Sequence, residues 1–356
     1  MSAVASATRV DRLRSAELPA LRAFLRGRPD AHIFHSPEWL AVLRDTYGHT
    51  CDYWVAWEGD SIAGVFPVLV VRAPALGTKM VALGYQMDSG LPLADCAVVA
   101  AELVGHAAAE ARRAGVKYIE VRSLSPAPML ERLGFTPVDS GLVTTVVRLD
   151  GIELRTIRRG HRRTIRYAEE QGVTVRESRS LADLYLFQRL YLASGRAIGA
   201  PQAGRRYFES LHRHAAANYR LYLASAGGRV LGGMVTVGDE RVTYARHAAY
   251  GSPEAMALHV GTVLCWRGIH DAAAEGVERF NCGISWERDN GLIQWKEGWG
   301  GETVPVRLYT LPVRGAPPLP RPGDYLGGFG LARAVWRRLP LPVAELGGNL
   351  VTRWIC

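Results

Sequence analysis

The feature of this 356-residue sequence that most constrains its fold is that it repeats itself. Val55-Ala56-Trp57-Glu58-Gly59-Asp60-Ser61-Ile62-Ala63-Gly64 has a gapless counterpart in Leu223-Ala224-Ser225-Ala226-Gly227-Gly228-Arg229-Val230-Leu231-Gly232, with the turn glycine, an apolar pair and a closing glycine in step. Downstream, Ala114-Gly115-Val116-Lys117-Tyr118-Ile119-Glu120 matches Glu275-Gly276-Val277-Glu278-Arg279-Phe280-Asn281. Each of these follows an alanine-rich helical stretch, Leu103 to Arg113 and Val263 to Ala274. Either match alone is within reach of chance. Two in the same order at nearly the same separation point to duplication. Each half reads as hairpin, further strand, helix, glycine stop and buried strand, which makes the chain α/β.

The length suits two domains. The first unit is expected over residues 1–150, where the strand Thr144 to Leu149 gives way to an arginine-rich segment. The second runs over 151–312, and a proline-rich and then basic tail occupies 313–356. A helix is expected to start at Ser36, an N-cap residue followed by Pro37 at the first helical position and Glu38 in the first turn, with Leu40, Leu43 and Tyr47 as its apolar stripe. No window reaches the roughly 18 apolar residues of a spanning helix. Arg9, Arg12 and Arg14 are not followed by the apolar stretch of a signal peptide, so a cytoplasmic location is expected. The five cysteines are scattered without a CxxC and the ten histidines are dispersed, so neither a disulfide framework nor a metal site is expected.

The net charge of +9 favours anionic partners: nucleotide-linked substrates, CoA, tRNA or anionic lipid. It gathers most densely at Arg155, Arg158, Arg159, Arg162, Arg163 and Arg166, which at helical spacing share an arc of roughly 140°. Ile157, His161, Ile165 and Ala168 take the other side. Like charges on one helix face repel unless anions neutralise them, and guanidinium forks match phosphate. The alternative is a solvated face with intramolecular acidic partners, although no acid sits among these arginines. In the tail from Tyr325 to Cys356, Phe329, Leu331, Val335, Trp336 and Leu339 mix with Arg333, Arg337 and Arg338. That pattern fits packing along the domains or peripheral contact with an anionic membrane.

The element order of each half is that of GNAT-type acyltransferases, and two such units in tandem resemble the Fem family of peptidyl (aminoacyl) transferases. His35-Ser36-Pro37-Glu38-Trp39 is similar to that family's first helix start. Arg158-Arg159-Gly160-His161-Arg162-Arg163-Thr164-Ile165-Arg166 is similar to its basic inter-domain helix. Gly283, Gly291, Trp295-Lys296 and Trp299-Gly300-Gly301 are similar to its closing segment. Asn281-Cys282 stands where the family has Asp-Phe. The resemblance implies a fold of two tandem GNAT-like units, each a mixed twisted sheet flanked by helices. It also implies amide formation between an activated acyl donor, preferably aminoacyl-tRNA, and an amine of an anionic precursor, either a cell-envelope (peptidoglycan) precursor or another small molecule. No bound cofactor and no DNA partner are implied. The alternatives are an acyl-CoA-dependent N-acetyltransferase acting on an amino sugar or amine, and a non-catalytic binding protein of a polysaccharide system.

Carried onto this sequence, Lys296 is the candidate for holding the acceptor or stabilising charge in the transfer step. The competing reading is a lysine stem that covers the aromatic surface of Trp295 and Trp299. Tyr244 and His247, just before the helix of the second unit, are candidate proton-relay residues. Arg158, Arg159, Arg162, Arg246, Asp88, Trp295 and Trp299 are candidate substrate-binding residues. A CoA-dependent GNAT enzyme needs a pyrophosphate loop, Q/R-x-x-G-x-G/A, at the N-terminus of that helix. Neither Gln86-Met87-Asp88-Ser89-Gly90 nor Arg246-His247-Ala248-Ala249-Tyr250-Gly251 fits it. No GxSxG, Walker A or HExxH motif is present.

Overall fold

The structure is a computed structural model that describes residues 9–73, 77–85, 89–314 and 330–354. The chain divides into two compact units. The first comprises 1–140, 306–323 and 353–356, and the second 141–305 and 324–352.

In the first unit the helix Pro37–Tyr47 starts as its sequence dictates. Ser36 Oγ accepts the Trp39 N–H at 3.1 Å, and Gly48 ends the helix at φ +67. Leu40, Leu43 and Tyr47 are buried. Eight strands form the sheet among the described residues. Their order is Arg9–Arg12, Thr50–Glu58, Ser61–Ala73, Gly77–Ala82, Tyr118–Ser123, Arg307–Pro312 and Thr136–Val138, with Leu93–Ala94 pairing onto Ser61–Ala73. The helix Ala97–Arg113 covers one face, packing Leu103 and Ala107 against Phe66, Ile119 and Val121.

The second unit holds a seven-stranded sheet among the described residues. It runs Glu302–Pro305, Leu142–Arg148, Arg279–Trp286, Val242–Ala249, Arg229–Gly238, Tyr219–Ala226 and Thr174–Ser178. The helix Val260–Ala274 covers it through Leu264 and Ile269, against Tyr222, Met234 and Phe280.

The two sheets agree residue by residue with the sequence repeat. The hairpins carry a register shift at the same place, Ala56/Trp57 in one and Ala224/Ser225 in the other. The closing glycines share one close neighbour, although at Gly232 the atom nearest to a Cβ is Ala249 O at 2.5 Å. A Cβ at Gly64 would lie 2.9 Å from Val99 Cγ1, and one at Gly232 would lie 2.9 Å from Val260 Cγ1, so in both units the covering helix approaches the hairpin at a glycine. The glycine stops Gly115 and Gly276 sit at φ +70 and φ +78.

One feature differs from the expected limits at 150 and 312. Leu142–Arg148, which follows the first unit in the chain, lies inside the second unit's sheet beside Arg279–Trp286. Arg307–Pro312, which follows the second unit, lies in the first unit's sheet beside Tyr118–Ser123. The equivalent last strands of the two units are thus exchanged. The tail also does not form a region of its own. Its helices Gly330–Trp336 and Leu341–Thr352 lie in the second unit, and Phe329 and the side chain of Leu331 lie outside the described residues.

Candidate active site

Among the described residues each unit contains one pair of parallel neighbours, and in both the pairing stops after three residues. In the first unit the pairs are Lys79↔Tyr118, Met80↔Ile119 and Val81↔Glu120. In the second they are Val242↔Arg279, Thr243↔Phe280 and Tyr244↔Asn281. Both strands continue past Tyr244 and Asn281, so the sheet splays into a wedge bordered by peptide groups. Such groups need partners when they are sheltered from water.

The two wedges meet that need differently. In the first unit Gly90 N–H donates to Arg122 O at 2.8 Å. A Cβ at Gly90 would lie 3.0 Å from Ala82 O, so the loop backbone sits between the two splayed strands. In the second unit the carbonyl equivalent to that of Arg122 belongs to Gly283, and it accepts from Lys296 Nζ at 2.6 Å. Lys296 Nζ also donates to Ile284 O at 3.2 Å. These carbonyls stand at a bulge, a register shift between Asn281 and Ile284 with Gly283 at φ +80. Asn281 fixes the bulge: its Oδ1 accepts from Thr144 Oγ1 and from Gly283 N–H, both at 2.8 Å. Thr144 comes from the exchanged strand Leu142–Arg148.

Lys296 is therefore buried at the wedge rather than laid over aromatic surface. Burial pushes its ammonium pKa down, and the thiols of Cys282 and Cys265 partly oppose that shift. At the position equivalent to Asn281 the first unit places Glu120, buried and paired with Lys79 and Arg122 at 3.1 Å each. Burial works to raise this carboxyl, but the two cations outweigh it and hold it below the usual range. Sequence reasoning missed Lys79, Glu120 and Arg122, although the alignment of Glu120 with Asn281 was the signal for them.

Tyr244 is fully buried, at the last parallel pair. Arg246 and His247 follow on the same strand, where the register shifts against Arg229–Gly238. His247 packs edge-on against Tyr191, Tyr207 and Phe208, and its Nδ1 lies 3.0 Å from Tyr191 Oη. Its buried Nε2 has no hydrogen-bond partner among the described residues. Burial, reinforced by Arg246, holds this imidazole neutral, and burial pushes the Tyr191 hydroxyl up. Tyr191 and Tyr207 come from the helices Leu181–Ile198 and Arg205–His214 and carry no motif by which the sequence could have singled them out. Asp88 lies outside the described residues.

The arginine helix spans Arg159–Glu170, with Arg158 at its N-cap and Arg155 in the preceding turn. Its inner face is as expected: His161, Ile165 and Ala168 are buried. The arginine face lines a groove of ≈ 790 Å³ together with Leu154. Arg155, expected to lack an acidic partner, pairs with Glu153 at 2.5 Å. Arg162 donates to the backbone carbonyl of Arg155. Arg159, Arg163 and Arg166 are exposed and have no ion-pair partner among the described residues. Arg158 instead lines a neighbouring groove of ≈ 530 Å³ with Gln294 and Glu297.

Trp299 is fully buried, and Trp295 is partly buried against it, with ring centroids 5.5 Å apart. Both touch His161, which lies 4.1 Å from the Trp299 ring and hydrogen-bonds Trp295 O at 2.8 Å. A Cβ at Gly298 would lie 2.5 Å from His161 Nε2, so glycine is required where the helix meets this segment. The two tryptophans, expected to bind substrate, also anchor the arginine helix.

The N-terminus of the helix Val260–Ala274 is also occupied. A Cβ at Gly261 would lie 2.8 Å from the Tyr250 ring, and Thr262 N–H already donates to His259 O at 2.9 Å. An aromatic ring therefore packs where a pyrophosphate would meet the first helical turn.

Residues 155–297 match the family model described as an acetyltransferase (GNAT) domain. No curated protein matches the sequence. Among solved structures the chain is similar to FemX, at 14% identity and a TM-score of 0.66, over 84% of this chain and 96% of that one. It is similar to a tandem GNAT protein from the clavulanic acid biosynthesis pathway, at 14% identity and a TM-score of 0.57, over 87% and 100% of the two chains. L-PGS from Bacillus licheniformis also matches, at 14% identity and a TM-score of 0.52, over 90% and 97%. The three-residue parallel pairing in each unit, the matched bulges and these likenesses together give the chain a fold of two tandem GNAT-like units, and residues 155–297 of the second are similar to the acetyltransferase (GNAT) domain.

Proposed function

We propose that this protein is an N-acyltransferase that moves an aminoacyl group from tRNA to an amine of an anionic cell-envelope precursor, in the cytoplasm, with the second unit's wedge as the reaction site. The observation that carries this reading is the groove of ≈ 790 Å³ lined by Arg155, Arg159, Arg162, Arg163 and Arg166. Arg159, Arg163 and Arg166 in particular are exposed on the side of the helix away from buried His161 and Ile165, which suits an extended polyanion lying along the surface. In the reaction a neutral amine attacks the ester carbonyl. The C–N bond forms, the C–O bond to the ribose breaks, and the amine proton leaves with the ribose hydroxyl. Lys296 would supply positive charge beside the developing oxyanion, and His247, held neutral, would relay the proton.

The match to an acetyltransferase domain favours one second reading, an acyl-CoA donor. The Tyr250 ring over Gly261 weighs against it. The two readings separate in a binding experiment. Arg159→Glu with Arg163→Glu should leave the melting temperature nearly unchanged, weaken tRNA binding about 10-fold or more, and reduce its salt dependence by about two counterions. Micromolar acetyl-CoA binding by calorimetry, with tRNA affinity unaffected by the substitutions, would reassign the donor.

A further inference from the structure

The last helix, Leu341–Thr352, is built inside out. Its inward face is held by polar contacts: Glu345 accepts from Gln188 Nε2 at 3.0 Å and from Arg205 N–H at 2.9 Å, and Asn349 Oδ1 accepts from Gly204 N–H at 2.9 Å. Gly348 permits the approach, since a Cβ there would lie 2.3 Å from Gln202 O. Its outward face is apolar. Val343, Leu346 and Leu350 are 49%, 74% and 51% exposed and fall within about 60° of one another at helical spacing. Val335, at 53%, adds to them from the preceding helix. Of the ten large apolar residues exposed among the described residues, four lie between 335 and 350, a concentration that scattered surface leucines do not produce.

The charges beside this stripe have one sign. Glu345, the only ionisable residue of the helix, is turned inward into hydrogen bonds. In the turn before it, Arg337 and Arg338 are exposed, and among the described residues neither has an acidic partner. Nearby on the packed helices, Glu209 is paired with Arg205 at 2.9 Å and Asp183 with Arg176 at 2.7 Å, so their charges are already met. Twelve residues span about 18 Å, too short to cross a bilayer and suited to lying in its interface.

We infer that this face docks the protein on an anionic lipid surface, with Val343, Leu346 and Leu350 entering the headgroup boundary and Arg337 and Arg338 meeting lipid phosphates. The apolar stripe and the cationic pair supply the two signals that stable peripheral attachment takes. Val335, Arg337 and Arg338 belong to the pattern that the sequence suggested, whereas half-buried Trp336 packs against the last helix, its ring 3.0 Å from where a Cβ of Gly347 would stand.

The full chain should cosediment with phosphatidylglycerol vesicles at low salt and not with phosphatidylcholine vesicles. Leu346→Glu with Leu350→Glu, both at exposed positions, should lower the bound fraction about 10-fold without changing the melting temperature. Arg337→Glu with Arg338→Glu should lower it comparably, and more at low salt than at high. Failure to bind either vesicle, or undiminished binding by the leucine variant, would overturn the proposal. So would light scattering that shows a dimer dispersed by those same leucine substitutions, because the face would then seat a second copy of this chain.

Discussion

Two carbonyl groups, those of Gly283 and Ile284, take their hydrogen bonds from the Lys296 ammonium. A buried carbonyl left without a donor costs about 1–3 kcal/mol. Lys296→Met, which keeps most of the packing stem, should therefore lower the melting temperature by roughly 3–10 °C. Among folded molecules, transfer should fall by about 10²-fold if the same ammonium stabilises the transition state. Lys296→Arg restores charge but not the compact fit, so it should rescue only in part. A calorimetric scan beside a turnover assay separates the two contributions, and unchanged values in both would remove the lysine from both roles. The sequence singled out this lysine by its place between two tryptophans. It did not disclose that the lysine answers a bulge thirteen residues earlier, because that need arises only when two strands part.

At the scale of elements, the arginine helix was legible in composition and facing but not in its start. Nothing local ends a helix before Arg159. The boundary comes from Arg158 N–H, which donates to Gly298 O at 2.9 Å, a partner far along the chain. The tail helix shows the opposite limit. Reading a helix from its pattern assumes that the apolar side faces the core, and Glu345 and Asn349 reverse that through contacts with other segments. In the arginine helix, Arg163 stands one turn from both Arg159 and Arg166, and like-charge pairs at that spacing cost about 0.2–0.5 kcal/mol each. Arg163→Gln should accordingly raise the melting temperature slightly at low ionic strength, with the gain vanishing near 0.5 M salt. A loss of stability would mean that Arg163 serves packing rather than a ligand.

For the molecule as a whole, the duplication was legible because turn glycines and helix stops recur in register. The strand exchange was not, because a strand's pattern records that it is buried and not beside which neighbour. A fragment of residues 1–150 should show the consequence. It would lack Arg307–Pro312, leaving Tyr118–Ser123 as an open edge. It carries, however, the equivalent strand Leu142–Arg148 without its partner Arg279–Trp286. That fragment should form a dimer by mutual donation of this strand, and a stable monomer in light scattering would refute the expectation. The full chain has the arrangement that two copies of one unit, lending each other their last strands, would have if joined end to end. Fusion of this kind removes the concentration dependence of the pairing and frees each copy to diverge. One position now holds a buried carboxylate, Glu120, where its twin holds an amide, Asn281. Two clefts built on one plan thereby differ in the group that each places at the equivalent position.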